Sequence, residues 1–305
     1  MRPTRIRDVK MLQLSNLTIK AAVANQGGAM EADTILKNGR SLKSQMSKGN
    51  LFSKIVLFFI VICLSTGLQA QISNELRTAA ERGDKEAQYK LGNIYHQDAA
   101  KTTRDFTQAV YWYRKAAEQG HAAAQYYLGF FYENGYGGLT KDQKQAVYWY
   151  RKAAEQGYIE AQFCLAECYN NGYGVTKDQE QALYWYRKVA EQGSSSYSYV
   201  QFRVGLCYHQ GIGVTKDDTQ AVYWYHQAAK NGYSRAQYYL AIAYSQGRGG
   251  LVEDLNTALY WFERALKAED IYNDDGLEES IVTNIKEIIS SLKAEGYSSS
   301  KAKVD

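Results

Sequence analysis

Four kinds of residue in this 305-residue chain could do chemistry: two serine–lysine pairs at nucleophile spacing, three cysteines beyond residue 70, four histidines, and several glycine-rich stretches. Ser-x-x-Lys is the nucleophile motif of an acyl-transfer site when Ser-Asp-Asn and Lys-Thr-Gly accompany it. It occurs at Ser290–Lys293 and Ser298–Lys301, without those companions and close to the C-terminus, so both read as coincidence. His96, His121, His209 and His226 are scattered, and none has a partner at metal-ligand spacing. Cys164 and Cys168 stand at i, i+4, a difficult geometry for a bridge, and Cys207 leaves the count odd. Small buried side chains are the first reading of these cysteines; a bridge or a regulatory thiol is the second. Gly-Tyr-Gly-Gly at 135–138 and Gly-Arg-Gly-Gly at 247–250 lack the preceding strand and the Gly-Lys-Ser/Thr ending of a phosphate loop. They read as turns, and no metal or other cofactor is expected.

The elements that would position such residues are legible from repetition. All five tryptophans share one context: Tyr111-Trp112-Tyr113, Tyr148-Trp149-Tyr150, Tyr184-Trp185-Tyr186, Tyr223-Trp224-Tyr225 and Tyr260-Trp261-Phe262. Ala-Gln recurs in step at 87–88, 124–125, 161–162 and 236–237, with Val200-Gln201 in the fourth place. A repeat of about 37 residues divides the chain into 84–120, 121–157, 158–193, 194–232 and 233–269, after a partial unit at 71–83. Each unit reads as two helices. In the second, Ala124, Leu128 and Tyr132 mark one stripe of a first helix. A small residue recurs beside it (Gly92, Gly129, Ala166, Gly205, Ala241), which lets another helix approach. Gly135-Tyr136-Gly137 suits a left-handed helix end. Asp142 then reads as the N-cap of a second helix, with Gln145 its capping-box partner; Asp105/Gln108, Asp178/Gln181 and Asp217/Gln220 repeat the spacing. Ile281, Ile285, Ile288 and Leu292 form one apolar face of a closing helix within 270–295, and 296–305 reads as a frayed tail.

The net charge of +4 is concentrated at the front. Residues 1–70 hold 10 of the 36 basic and 3 of the 32 acidic residues, so the remainder is slightly acidic and does not look like a nucleic-acid binder. Ile55 to Leu64 is an uninterrupted apolar run of ten, about half of the ~20 residues a spanning helix needs. Lys48 and Lys54 precede it, and Ser65, Thr66, Gly67 and Ala70 follow. The pattern is that of a secretory signal at 46–70, cleaved after Ala70 or after Gly67, leaving no stable membrane span. Met46 is the preferred start, with 1–45 an over-extended frame or leader; a cytoplasmic tail on a signal anchor is the alternative. The expected location is periplasmic or secreted, in a bacterial host.

The combined pattern is Ala-Gln-x-x-Leu-Gly-x-x-Tyr-x-x-Gly-x-Gly, then Asp, then Ala-Val-x-Trp-Tyr-x-Lys-Ala-Ala-x-x-Gly. It resembles the Sel-1-like repeat, a relative of tetratricopeptide arrays, over residues 76–269. The resemblance implies an all-α fold: a right-handed α-solenoid of five helix-turn-helix repeats with a closing helix, binding protein or peptide partners. Some exported members staple each repeat with a disulfide between its helices. This chain lacks that pattern, since its three cysteines all fall on first helices. The family has also been linked with β-lactam hydrolysis, which keeps an exported hydrolase acting on cell-wall or β-lactam material as an alternative. Glycan binding by the Tyr/Trp stripe is another, although strict recurrence at helical spacing says core first. The first unit departs most, with no glycine between Gln97 and Arg104, and the fourth carries three extra residues in 194–199.

Comparing repeats separates common from particular positions. Counted from the Ala of Ala-Gln, +3, +6, +9 and +10 vary and share one face of the first helix. This face is the candidate partner-binding groove: Lys90 and Asn93; Tyr127, Phe130 and Glu133; Glu167; Arg203 and Leu206; Tyr239 and Ile242. The recurrent Arg-Lys and Glu positions of the second helices read as a solvated, mutually screened surface.

Overall fold

The computed structural model describes residues 74–97, 106–193, 195–268 and 279–303. The chain divides at Glu75 into two units, and the described residues belong almost wholly to the second, Leu76–Asp305. The apolar run, the segment upstream of it, Asp105 and the glycine-free stretch of the first repeat lie outside the described residues.

Twelve helices and no strand are found among the described residues. A leading helix α1 (74–81) is followed by five hairpins: α2 Lys85–Gln97 with α3 Phe106–Glu118, α4 Ala122–Asn134 with α5 Gln143–Glu155, α6 Ile159–Asn171 with α7 Gln179–Glu191, α8 Ser198–Gln210 with α9 Asp218–Lys230, and α10 Ser234–Gln246 with α11 Leu255–Ala268. Helix α12, Glu279–Ala294, closes the array. The repeat helices are 13 or 14 residues long, a length at which an isolated helix is marginal in water, so packing must hold them. From α2 onward each packs on the helices before and after it in the chain, which is the layout of an α-solenoid.

Packing within a hairpin depends on the small residue of the first helix. A Cβ on Gly129 would stand 2.7 Å from the Tyr150 ring, and one on Gly92 2.5 Å from Tyr113. Ala166 and Ala241 occupy the place in the third and fifth repeats and are fully buried. Packing between repeats depends on the turn. Gly172 ends α6 in the left-handed region, its N–H bonded to the Cys168 carbonyl. Gly174, also left-handed at φ +68°, rests on the start of α5 one repeat earlier, where any side chain would overlap the Gln143 carbonyl. Gly137, Gly213 and Gly249 meet Phe106, Gln179 and Asp218 in the same way.

The aspartates cap as the spacing predicts. Asp142 accepts the N–H groups of Lys144 and Gln145, and Asp217 those of Thr219 and Gln220; Asp178 accepts from Gln181. The reciprocal half of the capping box is not made. The Asp142 N–H is taken by the Tyr132 carbonyl, and those of Asp178 and Asp217 by Tyr169 and Tyr208. Closing the hairpin places a backbone carbonyl where a glutamine side chain would have bonded.

The Gln of Ala-Gln is a buried tie across three helices. Gln125 donates to the Ala117 carbonyl at the end of α3, and its Oε1 accepts from Gln156 at the end of α5. Gln88 and Gln162 do the same with Ala80 and Gln119, and with Ala154 and Gln192. The three extra residues of the fourth repeat are absorbed in a 3-10 turn, Ser195–Tyr197, and the tie survives: Gln201 still reaches Ala190, 3.2 Å away, and accepts from Asn231. The last tie is open. Gln237 Oε1 is buried with no partner among the described residues, and the register position that would supply the donor, 268, is alanine.

At the end of the array, Ile285 and Leu292 of α12 are buried and Ile281 and Ile288 pack beside them, as the periodicity predicts. The tail is not frayed through 303. Ser298 N–H bonds Asn256 Oδ1 at 2.9 Å and Lys303 N–H bonds Thr257 Oγ1 at 3.0 Å, so two side chains at the start of α11 hold it.

Candidate protein-interaction face

The variable first-helix positions are arranged around one recurring ring, the residue that follows each tryptophan, tyrosine in the first four repeats and Phe262 in the fifth. Tyr113, Tyr150, Tyr186 and Tyr225 are all at most 2% exposed. Each is flanked by variable positions of its own repeat and of the next. Tyr113 donates its hydroxyl to Asn93 Oδ1 at 2.8 Å, and Tyr127 from the next repeat stacks on its ring at 5.0 Å and 7°. Tyr150 donates to Glu133 at 2.6 Å. Tyr186 donates to Glu167 at 2.6 Å; Arg203 from the next repeat lies over its ring at 4.7 Å and pairs with the same carboxylate. Tyr225 has Tyr239 at 5.3 Å but no partner for its hydroxyl among the described residues. The register explains this: Leu206 stands where Asn93 and Glu167 stand, and His209 turns to Asp218 at 3.0 Å. Burial is the main force pushing all four hydroxyls far above the ordinary tyrosine range, so they remain donors at any physiological pH.

The remaining candidates divide by exposure. Lys90 is exposed and paired with Glu86 at 3.6 Å. Phe130 is half-buried, its ring 6.1 Å from Phe131 and 5.9 Å from Tyr136. Leu206 and Ile242 are half-buried against the core. The structure thus brings Asn93 with Tyr127 and Glu167 with Arg203, in each case around a buried tyrosine. It adds residues that the spacing of +3, +6, +9 and +10 passes over: Tyr126, Tyr158, Glu160 and Tyr197, near the N-terminal ends of the same helices. A comparison of repeats at −3 and −1 would have found the last three.

On the second helices of the first four repeats, the first tyrosine of the Tyr-Trp pair is about half exposed, from 47% at Tyr148 to 52% at Tyr223, while Tyr260 of the fifth is half-buried. Lys115, Lys152 and Lys188 lie over Tyr111, Tyr148 and Tyr184 at 4.7, 4.9 and 5.7 Å, and each tryptophan meets its tyrosine edge-on. Trp112, Trp224 and Trp261 are buried; Trp149 and Trp185 are half-buried. Cys164, Cys168 and Cys207 are free thiols. Burial above all pushes Cys164 and Cys168 up to about 12 and raises Cys207, which keeps them protonated and poorly nucleophilic at neutral pH. Ser290 is exposed, and Lys293 is held by Glu263 at 2.7 Å. Among the described residues no three His, Cys, Asp or Glu side chains gather to hold a metal ion, and no helix is long and apolar enough to cross a membrane.

Hairpins of this length, stacked through a recurrent buried ring and, from the second repeat on, a paired-glycine turn, define a helical-repeat solenoid. The Sel1 repeat model matches residues 85–121, 122–158, 159–194, 198–233 and 234–270, and the chain belongs to the Sel1 repeat family. Proteins of this family are typically non-enzymatic protein-interaction scaffolds. Among solved structures, the chain is similar to c5321, a protective antigen of uropathogenic Escherichia coli strains displaying an SLR fold. That match has 36% identity and TM-score 0.56, over 73% of this chain and 48% of that one. A Sel1 repeat protein from Oxalobacter formigenes matches at 30% identity and TM-score 0.54, over 70% of this chain and 57% of that one. The chain therefore spans about half the length of these relatives. No curated protein matches.

Proposed function

We propose that this chain is an exported, non-enzymatic scaffold that holds a protein or peptide partner in a groove lined by the first helices of its repeats. Lys90, Asn93, Tyr127, Phe130, Glu133, Glu167, Arg203, Leu206, Tyr239 and Ile242 lie along that groove. The observation that carries the reading is the contrast between the two layers of the face. Beneath it the tyrosine, small-residue and glutamine positions are nearly constant from repeat to repeat. Directly over them the side chains change from amide to carboxylate to guanidinium to alkyl, so a constant frame displays a non-repeating surface. Export rests on the basic–apolar–small pattern of residues 48–70.

The test is position-specific photocrosslinking in the full chain. A photoreactive residue at Asn171 or Gln210, both exposed on first helices, is compared with one at Lys115 or Lys188 on second helices. A partner trapped from the first pair alone supports the groove. Equal trapping from both faces, or trapping from the second helices alone, overturns it. Cell fractionation with N-terminal sequencing tests export: a product beginning after Gly67 or Ala70 is expected, and a cytosolic full-length chain contradicts it.

A further inference from the structure

One carboxylate on this face is answered by a lysine and a histidine ring nitrogen in the first repeat and by neither in the third. Position −1 of the register is Glu86 in the first and Glu160 in the third. Glu86 lies between two basic side chains. Lys90 Nζ, from +3 of the same helix, is 3.6 Å away, and His121 Nε2, from −3 of the next repeat, is 3.1 Å away. The His121 ring also stacks on Tyr89 at 4.4 Å, while its Nδ1 accepts the Ala124 N–H to cap α4.

The third repeat keeps the carboxylate and replaces both partners: +3 is Cys164, and −3 of the following repeat is Tyr197. The Glu160 side chain makes no hydrogen bond or ion pair among the described residues. Arg203, the first-helix cation of the next repeat, is engaged by Glu167. In the register Tyr197 stands where His121 touches Glu86, and Tyr158 lies two residues before Glu160. Tyr158 packs against Tyr126 at 5.3 Å, Tyr126 against Tyr127 at 5.2 Å, and Tyr197 against Phe163 at 6.4 Å. The four tyrosines are half-buried, and none of their hydroxyls has a hydrogen-bond partner among the described residues. Burial first, and then neighbouring charge, pushes these hydroxyls up; Glu160 is among the charges acting on all four. A carboxylate beside a tyrosine cluster attracts a cation twice, through its own charge and through the negative ring faces.

We propose that Glu160, with Tyr126, Tyr127, Tyr158 and Tyr197, receives a lysine or arginine side chain of a protein partner, in the place where the first repeat seats its own Lys90 and His121. This rests on the scaffold reading and adds the chemistry of what is bound.

The experiment uses the full chain and three short glycine–serine peptides, blocked at both ends, with one central lysine, arginine or norleucine. Tyrosine-ring proton shifts are followed on titration. The two basic peptides are expected to shift the rings and norleucine not. Glu160→Gln is expected to weaken the basic peptides by about tenfold. Tyr197→His puts an imidazole in the register place of His121, and its protonation near pH 6 would set a competing cation beside Glu160, so that variant should bind the lysine peptide several-fold more weakly at pH 6 than at pH 8, while the wild type stays flat. Equal shifts by all three peptides overturn the proposal, as does Glu160→Gln binding like the wild type. If Glu160→Gln lowers the melting temperature, Tyr197→His decides, and a flat pH response there is fatal. Crosslinking through Asn171 reports on the groove whatever these peptides do, so the two readings can fail separately.

Discussion

In the first three repeats the buried tyrosine donates to a first-helix acceptor: Tyr113 to Asn93, Tyr150 to Glu133, Tyr186 to Glu167. In the fourth, Tyr225 donates to nothing among the described residues, and in the fifth Phe262 has no hydroxyl to place. All five rings are at most 2% exposed. The ring is therefore held by packing throughout, and its hydroxyl is an addition used only where the face above it is polar. Over the first three tyrosines the face displays Asn93, Glu133 and Glu167, with Tyr127 and Phe130 between them and Arg203 reaching in from the fourth repeat; over the last two rings it displays Leu206, Tyr239 and Ile242. One scaffold thus carries acceptors over its front tyrosines and none over Tyr225 at no change in its frame.

The most severe way to break this comparison is to remove the stacking common to both halves. Gly174→Ala imposes a side chain at φ +68° and against the Gln143 carbonyl, and should cost about 3 kcal/mol or more in urea unfolding. Gly249→Ala at the back should cost as much. Gly138→Ala, also left-handed but in open space, should cost only about 1 kcal/mol. Equal losses at all three would mean that backbone strain, and not the approach of successive repeats, sets the requirement.

Next in size are the lids over the tyrosines. Tyr127→Ala with Phe130→Ala, and Tyr239→Ala with Ile242→Ala, should each lower stability by roughly 2–4 kcal/mol, because these half-buried side chains pack on the core. Thermal melts check this. A double variant that melts like the wild type would show that the lids serve the partner alone.

The hydroxyl comparison itself is sharpened by phenylalanine. Tyr150→Phe and Tyr186→Phe should each cost about 1–2 kcal/mol, since a hydrogen bond to a carboxylate is lost. Tyr225→Phe should be neutral or slightly stabilising, because it removes a buried hydroxyl that bonds to nothing. The smallest effect is a coupling. Leu206→Asn gives Tyr225 the acceptor Tyr113 has in Asn93, so Tyr225→Phe in that background should cost about 1 kcal/mol more than alone. A double-mutant cycle with no coupling would show that position 206 does not face the hydroxyl.

What could be read from the sequence was whatever repeats or acts locally. The period, the helix pairs, the aspartate caps, the left-handed glycines and the small residue opposite the tyrosine each depend on spacing of a few residues or on recurrence. Each has one physical solution, so the residues alone determined them, and with them the fold. The partners of polar side chains were not legible in that way. Gln125 and Gln156 are 31 residues apart, Glu167 and Arg203 36, and Glu86 and His121 35, about one repeat in every case. Nothing in the pattern says that Glu86 is paired and Glu160 is not, or that Asn256 and Thr257 hold the tail, until helices from successive repeats are laid side by side. Period and turn are properties of a short segment; whether a charge is answered is a property of the neighbour that stacking brings to it, and that was decided only by the tertiary structure.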